Sequence, residues 1–392
     1  MKRMNTVMQR LYNILVLLCF VAIFTVCAQL ASGTSVAQAA PPSGGESGQS
    51  VSDMQAPELL EDFLQTPSPL ANIHNLRLSG EQVIHLEVAG NYSAASFGSF
   101  CIELLKATLE DWSEGRIKLT HYSDSVLGND KDIFKAVQFG SVAMGLMTSA
   151  PQAEFIPELA VFDMGGYPVD YYAAGKTMRN GPFRDAVNAI YNRAGLELVG
   201  LFPTSFRVLA STFPVRTFDD LAKLRIRVME NPYHAEFWHY MGADATQMPM
   251  SSSYISLQQG LLNAVENPVD TLLTNGVHEQ AKYFTETDHI LFNNTIICNQ
   301  DIWKSLPDTY RDMVIQAVLR VSDWAAVNGS LRTKASIEKL KALGCEIILF
   351  SEEDRARMRE AAAPLYENIR KAAGNELVDL WLSELKKNGS GQ

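Results

Sequence analysis

Arg207 and Arg227 each stand as the lone charge, or nearly so, in a short apolar run, FRVLAS and RIRVM. A guanidinium keeps its proton, so one drawn into the interior must meet an anion. Its planar fork of donors matches a carboxylate, which two parallel hydrogen bonds hold and orient. Arg225 precedes Arg227 by two residues, so strand alternation puts both on one side. Asn267, in VENP, offers a neutral partner. Placed before Pro268 it is biased toward extended backbone, and its amide both donates and accepts. The plainer reading makes the arginines solvent-facing strand ends and Asn267 an Asx turn.

Covalent and metal chemistry have no comparable pattern. The chain holds no GxSxG elbow, no HExxH, no Walker A motif and no GxGxxG after a strand. His234 and His239 are five apart and do not share a helix face. The HAE at 234–236 begins like a deaminase signature, but no PCxxC follows. Both histidines are therefore expected on the surface or in packing roles, and Ser251 to Ser253 as a helix entry. No cofactor and no metal are expected.

The 392 residues are 47% apolar and 20% charged, which suits a globular chain large enough for two lobes. The N-terminus reads differently. Lys2, Arg3 and Arg10 precede a long apolar stretch and a small-residue site at Ala37 and Ala39, the pattern of a secretory signal over 1–39. The apolar stretch approaches the ~18 residues that can span a bilayer, so an uncleaved anchor is the alternative. Cleavage turns the formal charge of −11 into −14, since three cations and no anions leave. Such acidity argues against nucleic acid as a partner. Of five cysteines, Cys19 and Cys27 leave with the signal; Cys101, Cys298 and Cys345 are expected as buried free thiols.

Residues 40–82 read as a flexible linker, with one short helix at 56–64. From Val83 a strand, a helix ended by Gly115, a second strand, a helix capped at Asn129 or Asp130 and a third strand imply crossover units and a parallel sheet. A helical stretch follows, then the strands that carry Arg207 and Arg227. Asn231, Pro232 and Gly242 bracket another helix. A further helix and the short strand of VENP come next. From about Pro307 the chain is mainly helical, with one long helix that Gly329 is placed to break.

Read in order, GRIKLTHYSDSVLGNDKDIFKAVQFGSVAMGLMTSA, FRVLAS, LAKLRIRVMENPYHAEFWHYMGADATQMPM and YISLQQGLLNAVENP resemble the solute-binding proteins of TRAP (tripartite ATP-independent periplasmic) transporters. The resemblance runs from about Val83 to Leu385. It implies an α/β, two-lobed periplasmic binding fold of the type II kind, with a long bridging helix and a mainly helical C-terminal part. It also implies a periplasmic, non-enzymatic protein that closes on an organic acid and delivers it to the TRAP membrane permease subunits. The family's principal carboxylate-binding arginine falls on Arg227, its earlier arginine on Arg207 and the ENP asparagine on Asn267. The loop after the first strand falls near Asn91, the loop after the third near Thr148 and Ser149, and Asn129 or Asp130 near the cleft. Met250 stands where some members place an aromatic over the ligand; Tyr254 and Trp238 are further candidates for the wall. Asn263 replaces a common aspartate, and SSSY replaces a stretch that usually carries a glutamate, so the identity of the acid does not carry over. The resemblance further implies discontinuous lobes: 83–204 with about 293–332, and 205–292 with about 333–386, before a tail at 387–392. The competing readings are a binding protein that serves a sensory receptor and a periplasmic enzyme acting on an organic acid. A neighbouring sensor kinase gene would favour the first, and turnover of the bound acid the second.

Overall fold

The computed structural model describes residues 82–389. The expected signal, all but the last residue of the expected linker, the helix at 56–64 and residues 390–392 lie outside them.

Strands and helices first alternate: β1 (Ile84–Gly90), α1 (Phe97–Trp112), β2 (Ile117–Tyr122), α2 (Asp130–Gln138) and β3 (Met144–Thr148). Two 3-10 turns, α3 (Tyr171–Arg179) and α4 (Pro182–Arg193) lead into β4 (Leu196–Phe206). Then come β5 (Val208–Ser211), β6 (Arg225–Val228), α5 (Pro232–Tyr240), β7 (Asp244–Gln247), α6 (Ser253–Gln258), β8 (Ala264–Asn267), α7 (Val269–Thr274) and β9 (Tyr283–Glu286). β10 (Leu291–Asn299) and α8 (Gln300–Ser305) precede the 35-residue α9 (Asp308–Ala342). β11 (Glu346–Leu349), α10 (Glu352–Ala361), α11 (Ala363–Ala373) and α12 (Asn375–Gly389) follow.

These strands form two sheets, ordered β2-β1-β3-β10-β4 and β11-β9-β5-β8-β6-β7. β1 runs parallel to β2 and β3, as the strand–helix alternation predicts. β10 enters antiparallel between β3 and β4, so the first sheet is mixed. The chain passes from one sheet to the other between Phe206 and Val208 and returns between Glu286 and Leu291. The two passages lie side by side, tied where Arg207 N–H donates to the Ile290 carbonyl at 2.9 Å. One apolar core joins the face of the first sheet to α5 and the C-terminal helices; a smaller one lies around Val265, Leu272 and Phe284 in the second sheet.

Local chemistry explains the helix ends that matter here. Asn129 and Asp132 form a capping box that starts α2. Asn231 caps α5 through Tyr233 N and His234 N, with Pro232 at the first helical position. α9 is one long helix, as expected, and the alternative break at Gly329 does not occur. Gly329 is the point of closest approach to β4: a Cβ there would lie 2.1 Å from the Thr204 carbonyl oxygen, so only glycine fits. The three cysteines within the described region are free and buried, as expected. The last helix departs from the expectation. Trp381 packs on Phe162 and Phe183, and Asn388 donates to Thr177 at 2.9 Å. α12 therefore sits with the helices of the first sheet rather than with the second lobe, and it takes in residues 387–389 of the expected tail. No helix among the described residues is long and apolar enough to cross a membrane.

Candidate functional site

β1 and β3 run parallel in the first sheet and β6 and β8 in the second; the Lys131–Glu230 ion pair at 3.6 Å brings the start of α2 to the residues after β6, and ligands in open α/β sheets usually bind beyond such strand ends. Asn91 follows β1, Thr148 ends β3, Arg227 is the third residue of β6 and Asn267 ends β8. Arg207 sits at the passage between the sheets, and Asp130 opens α2 just after its capping asparagine. Register links them: Arg227 lies opposite Val265, and Asn267 opposite Val208.

The two arginines turn out to be unlike. Arg207 is 1% exposed and already holds its anion, Glu266. Its Nε and Nη2 donate to both carboxylate oxygens, the second at 2.8 Å, and Nη2 also donates to the Glu266 carbonyl at 3.1 Å. The Phe292 ring lies 5.4 Å from the guanidinium carbon. His289 Nε2 meets the same carboxylate at 3.2 Å, and His234 bridges from it to Asp163 at 3.1 Å. Burial alone would raise Glu266, but Arg207 and the two histidines hold it well below the ordinary carboxylate range. Burial depresses His289; it also opposes the charged form of His234, yet there Asp163 and Glu266 outweigh it and the pKa rises.

Arg227 is 2% exposed and has no carboxylate within ion-pair distance. Its Nε donates to the Met248 carbonyl at 2.8 Å, while Nη1 finds no hydrogen-bond partner among the described residues. Burial pulls it down to about 10, against the fields of Glu266 and Asp130. Arg225, on the same side but at the strand's start, is exposed and donates to the Gly260 carbonyl at 3.0 Å. Arg227 is thus a buried cation that feels the carboxylates of Glu266, Asp130 and Glu230 at a distance but, among the described residues, pairs with none of them.

Around it lie groups with spare capacity. Asn91 Nδ2 donates to Asp130 Oδ2 at 2.6 Å, leaving Asn91 Oδ1 and Asp130 Oδ1 buried and unpartnered. Burial pushes Asp130 up to about 7; Arg227 opposes that rise and Glu230 adds to it. Asn267 Nδ2 lies 3.4 Å from the Met250 sulfur, and its Oδ1 is unpartnered. Thr148 and Ser149 are buried at the end of β3, where Ser149 N–H donates to the Asn293 carbonyl. Lys131 reaches Glu154 at 2.5 Å and Glu230, which follows β6, at 3.6 Å, so the ends of α2 and β6 face each other.

Not every expected residue joins this group through a contact. Tyr254 is half-buried and its hydroxyl donates to Glu279 at 2.7 Å. Trp238 is buried against Phe237 and His289, and His239 is exposed. Sequence reasoning missed Glu266, His289 and Asp163. The signal for Glu266 was present: an acid beside Asn267 in an otherwise apolar strand needs a cation as much as Arg207 needs an anion. A separate cavity of about 320 Å³ lies beside the two passages, among Tyr167, Phe206, Asp288, Arg355 and Arg359. It shares none of the expected ligand residues. Among the described residues no group of three or more His, Cys, Asp or Glu side chains is arranged to hold a metal ion.

Comparison with known proteins identifies the family. The chain is 25% identical over 297 residues to the ectoine-binding periplasmic protein TeaA of Halomonas elongata, covering 72% of this chain and 85% of that protein. It is 24% identical over 276 residues to the sialic acid-binding periplasmic protein SiaP of Vibrio cholerae, covering 70% and 85%. Its fold matches the sugar acid binding protein DctPAm of Advenella mimigardefordensis, solved with galactonate, with a TM-score of 0.75 at 22% identity over 79% of this chain and 99% of that one. Residues 94–372 match the family model of bacterial extracellular solute-binding proteins, family 7, and the chain belongs to that family.

Proposed function

We propose that this protein is the extracytoplasmic solute-binding subunit of a TRAP transporter, which captures an organic acid between its two lobes and passes it to the membrane permease subunits. The observation that carries the reading is Arg227: a buried guanidinium with no carboxylate of its own and one Nη without a partner. Arg227 takes the ligand carboxylate. Arg207 contributes its remaining Nη1, while Asn267 and Asn91 orient the acid; Thr148, Ser149, Met250 and Tyr254 line the wall. Relatives described as binding ectoine, sialic acid, C4-dicarboxylates and galactonate support an organic acid as cargo. They are binding proteins, which supports capture without turnover. Residues 1–39 act as the export signal, and the protein works in the periplasm.

The lobes divide at the two passages near Arg207 and Ile290, with α9 as the third link and α12 returning to the first lobe. Closing them removes water and strengthens the Arg227–carboxylate attraction.

Thermal unfolding of the purified protein against a panel of organic acids, with Arg227→Ala alongside, tests the reading. A ligand at ~100 times its Kd stabilises by about 2.7 kcal/mol. Losing one partner of a buried, hydrogen-bonded charge pair costs about 2–5 kcal/mol, so the variant binds roughly 30-fold to several thousand-fold more weakly. An unchanged Kd in Arg227→Ala removes that residue from the site.

A further inference from the structure

The hydrogen-bonding atoms of the cleft do not balance, and the imbalance describes the missing partner. On the donor side stand Arg227 Nη1 and Arg207 Nη1, both cationic. On the acceptor side stand Asn91 Oδ1, Asp130 Oδ1 and Asn267 Oδ1, all buried and all without a partner among the described residues. The amide orientations are set by their neighbours. Asn91 presents Nδ2 to Asp130 Oδ2 at 2.6 Å, and Asn267 presents Nδ2 to the Met250 sulfur at 3.4 Å, so in each the oxygen is what remains. A carboxylate answers the guanidiniums but has no proton to give the three oxygens. Each acceptor left unmade weakens binding by roughly 5- to 150-fold.

Charge narrows the choice further. Glu266 cancels Arg207, which leaves Arg227 to balance one carboxylate. A second carboxylate would meet acceptor oxygens at Asn91 and Asp130, with Glu230 nearby. An ammonium would be buried close to guanidiniums with no ionised group held for it alone. Hydroxyl groups meet neither objection: each donates a hydrogen bond and carries no charge.

Resting on the carboxylate reading above, we infer that the cargo is a hydroxylated monocarboxylate. Its one carboxylate lies on Arg227, and its hydroxyls donate to Asp130, Asn91 and Asn267. The Asn91–Asp130 pair is then the specificity determinant, since it separates hydroxy acids from bare acids of the same length.

Isothermal titration of the purified protein with pairs matched in chain length tests this: glycerate against propionate, threonate against butyrate and gluconate against hexanoate, with succinate and γ-aminobutyrate as further arms. In the tightest-binding pair the hydroxylated member binds at least about tenfold more tightly than its bare partner, succinate or γ-aminobutyrate. In Asp130→Ala that preference, taken as the ratio of the two acids in the same variant, falls about tenfold or more. The preference is a ratio measured within one variant, so loss of folded protein does not imitate it; Asp130→Asn, which keeps the size of the side chain, provides a second variant. A bare acid or succinate that binds as tightly as the hydroxy acids overturns the inference. If that binding still vanishes in Arg227→Ala, carboxylate capture stands without it. Tightest binding of γ-aminobutyrate also overturns it, in favour of an ammonium at Asp130. Absence of binding by every acid overturns the carboxylate reading and this inference together.

Discussion

Glu266 decides what the two arginines of the cleft can do. By holding Arg207 through its carboxylate and its own carbonyl, it gives one of two buried cations a fixed partner, whereas Arg227 has no such pair among the described residues. Removing one member of a buried ion pair costs about 3–5 kcal/mol, because the partner is left charged and unpaired. Glu266→Gln is expected to lose about that much at pH 7, read from denaturant unfolding. The sign of the pH dependence follows from its depressed folded pKa. The stabilisation is fully present above the ordinary carboxylate value of 4.5 and is lost as pH falls below it toward the folded value. The gap between wild type and Glu266→Gln therefore narrows on acidification below about pH 4.5. A gap that stays constant with pH would show that the carboxylate charge is not what Arg207 requires.

At the scale of elements, the cleft depends on contacts that join helices from different parts of the chain. Asp270, in α7 directly after β8, accepts the Phe97 N–H at the start of α1 at 2.8 Å. Its other oxygen accepts Arg332 Nε of α9 at 2.6 Å, and Arg332 also donates to the Ala95 carbonyl at 2.9 Å. One carboxylate thus gathers a helix packed on the first sheet, a helix of the second and the helix that links them. Hydrogen bonds to charged groups contribute about 1.5–3 kcal/mol. Asp270→Ala is expected to lower stability by about 2–3 kcal/mol and to raise the radius of gyration in solution scattering, as the lobes separate more readily. If stability falls with no change in scattering, Asp270 braces the fold without holding the lobes together.

For the molecule as a whole, the fold brings together strand ends that are far apart in the chain. Asn91 and Asn267 are separated by most of the described region, yet Asp130 beside the first feels the charge of Arg227, whose register partner Val265 lies two residues before Asn267 on the adjacent β8. Two adjacent passages near Arg207 and Ile290 connect the sheets, and α9 crosses β4 at Gly329. A methyl group there would collide with backbone, which cannot turn aside as a side chain can. Gly329→Ala is expected to cost about 3 kcal/mol, the upper end for overpacking, in thermal or denaturant unfolding. A variant as stable as wild type would mean that α9 shifts freely over the passage.

The sequence determined the elements and their chemistry. Capping residues, glycine stops and strand periodicity gave β1 to β3, α2 and α5 nearly as they stand, because those signals act within one or two turns of the chain. It also singled out Arg227, Arg207 and Asn267 as groups able to meet a carboxylate, and the family resemblance added the loop near Asn91. It did not reveal β7, β9, β10 and β11, which are short or carried no clear alternation. Nor did it show that Gly329 serves a close approach rather than a helix break, or that α12 folds back on α3. Tertiary structure alone decided the difference between the arginines. Arg207 and Glu266 lie 59 residues apart, and only the β5–β8 pairing makes them an ion pair. The same pairing leaves Arg227 buried without an anion. Burial and charge balance are properties of the surroundings, and the chain acquires its surroundings only on folding.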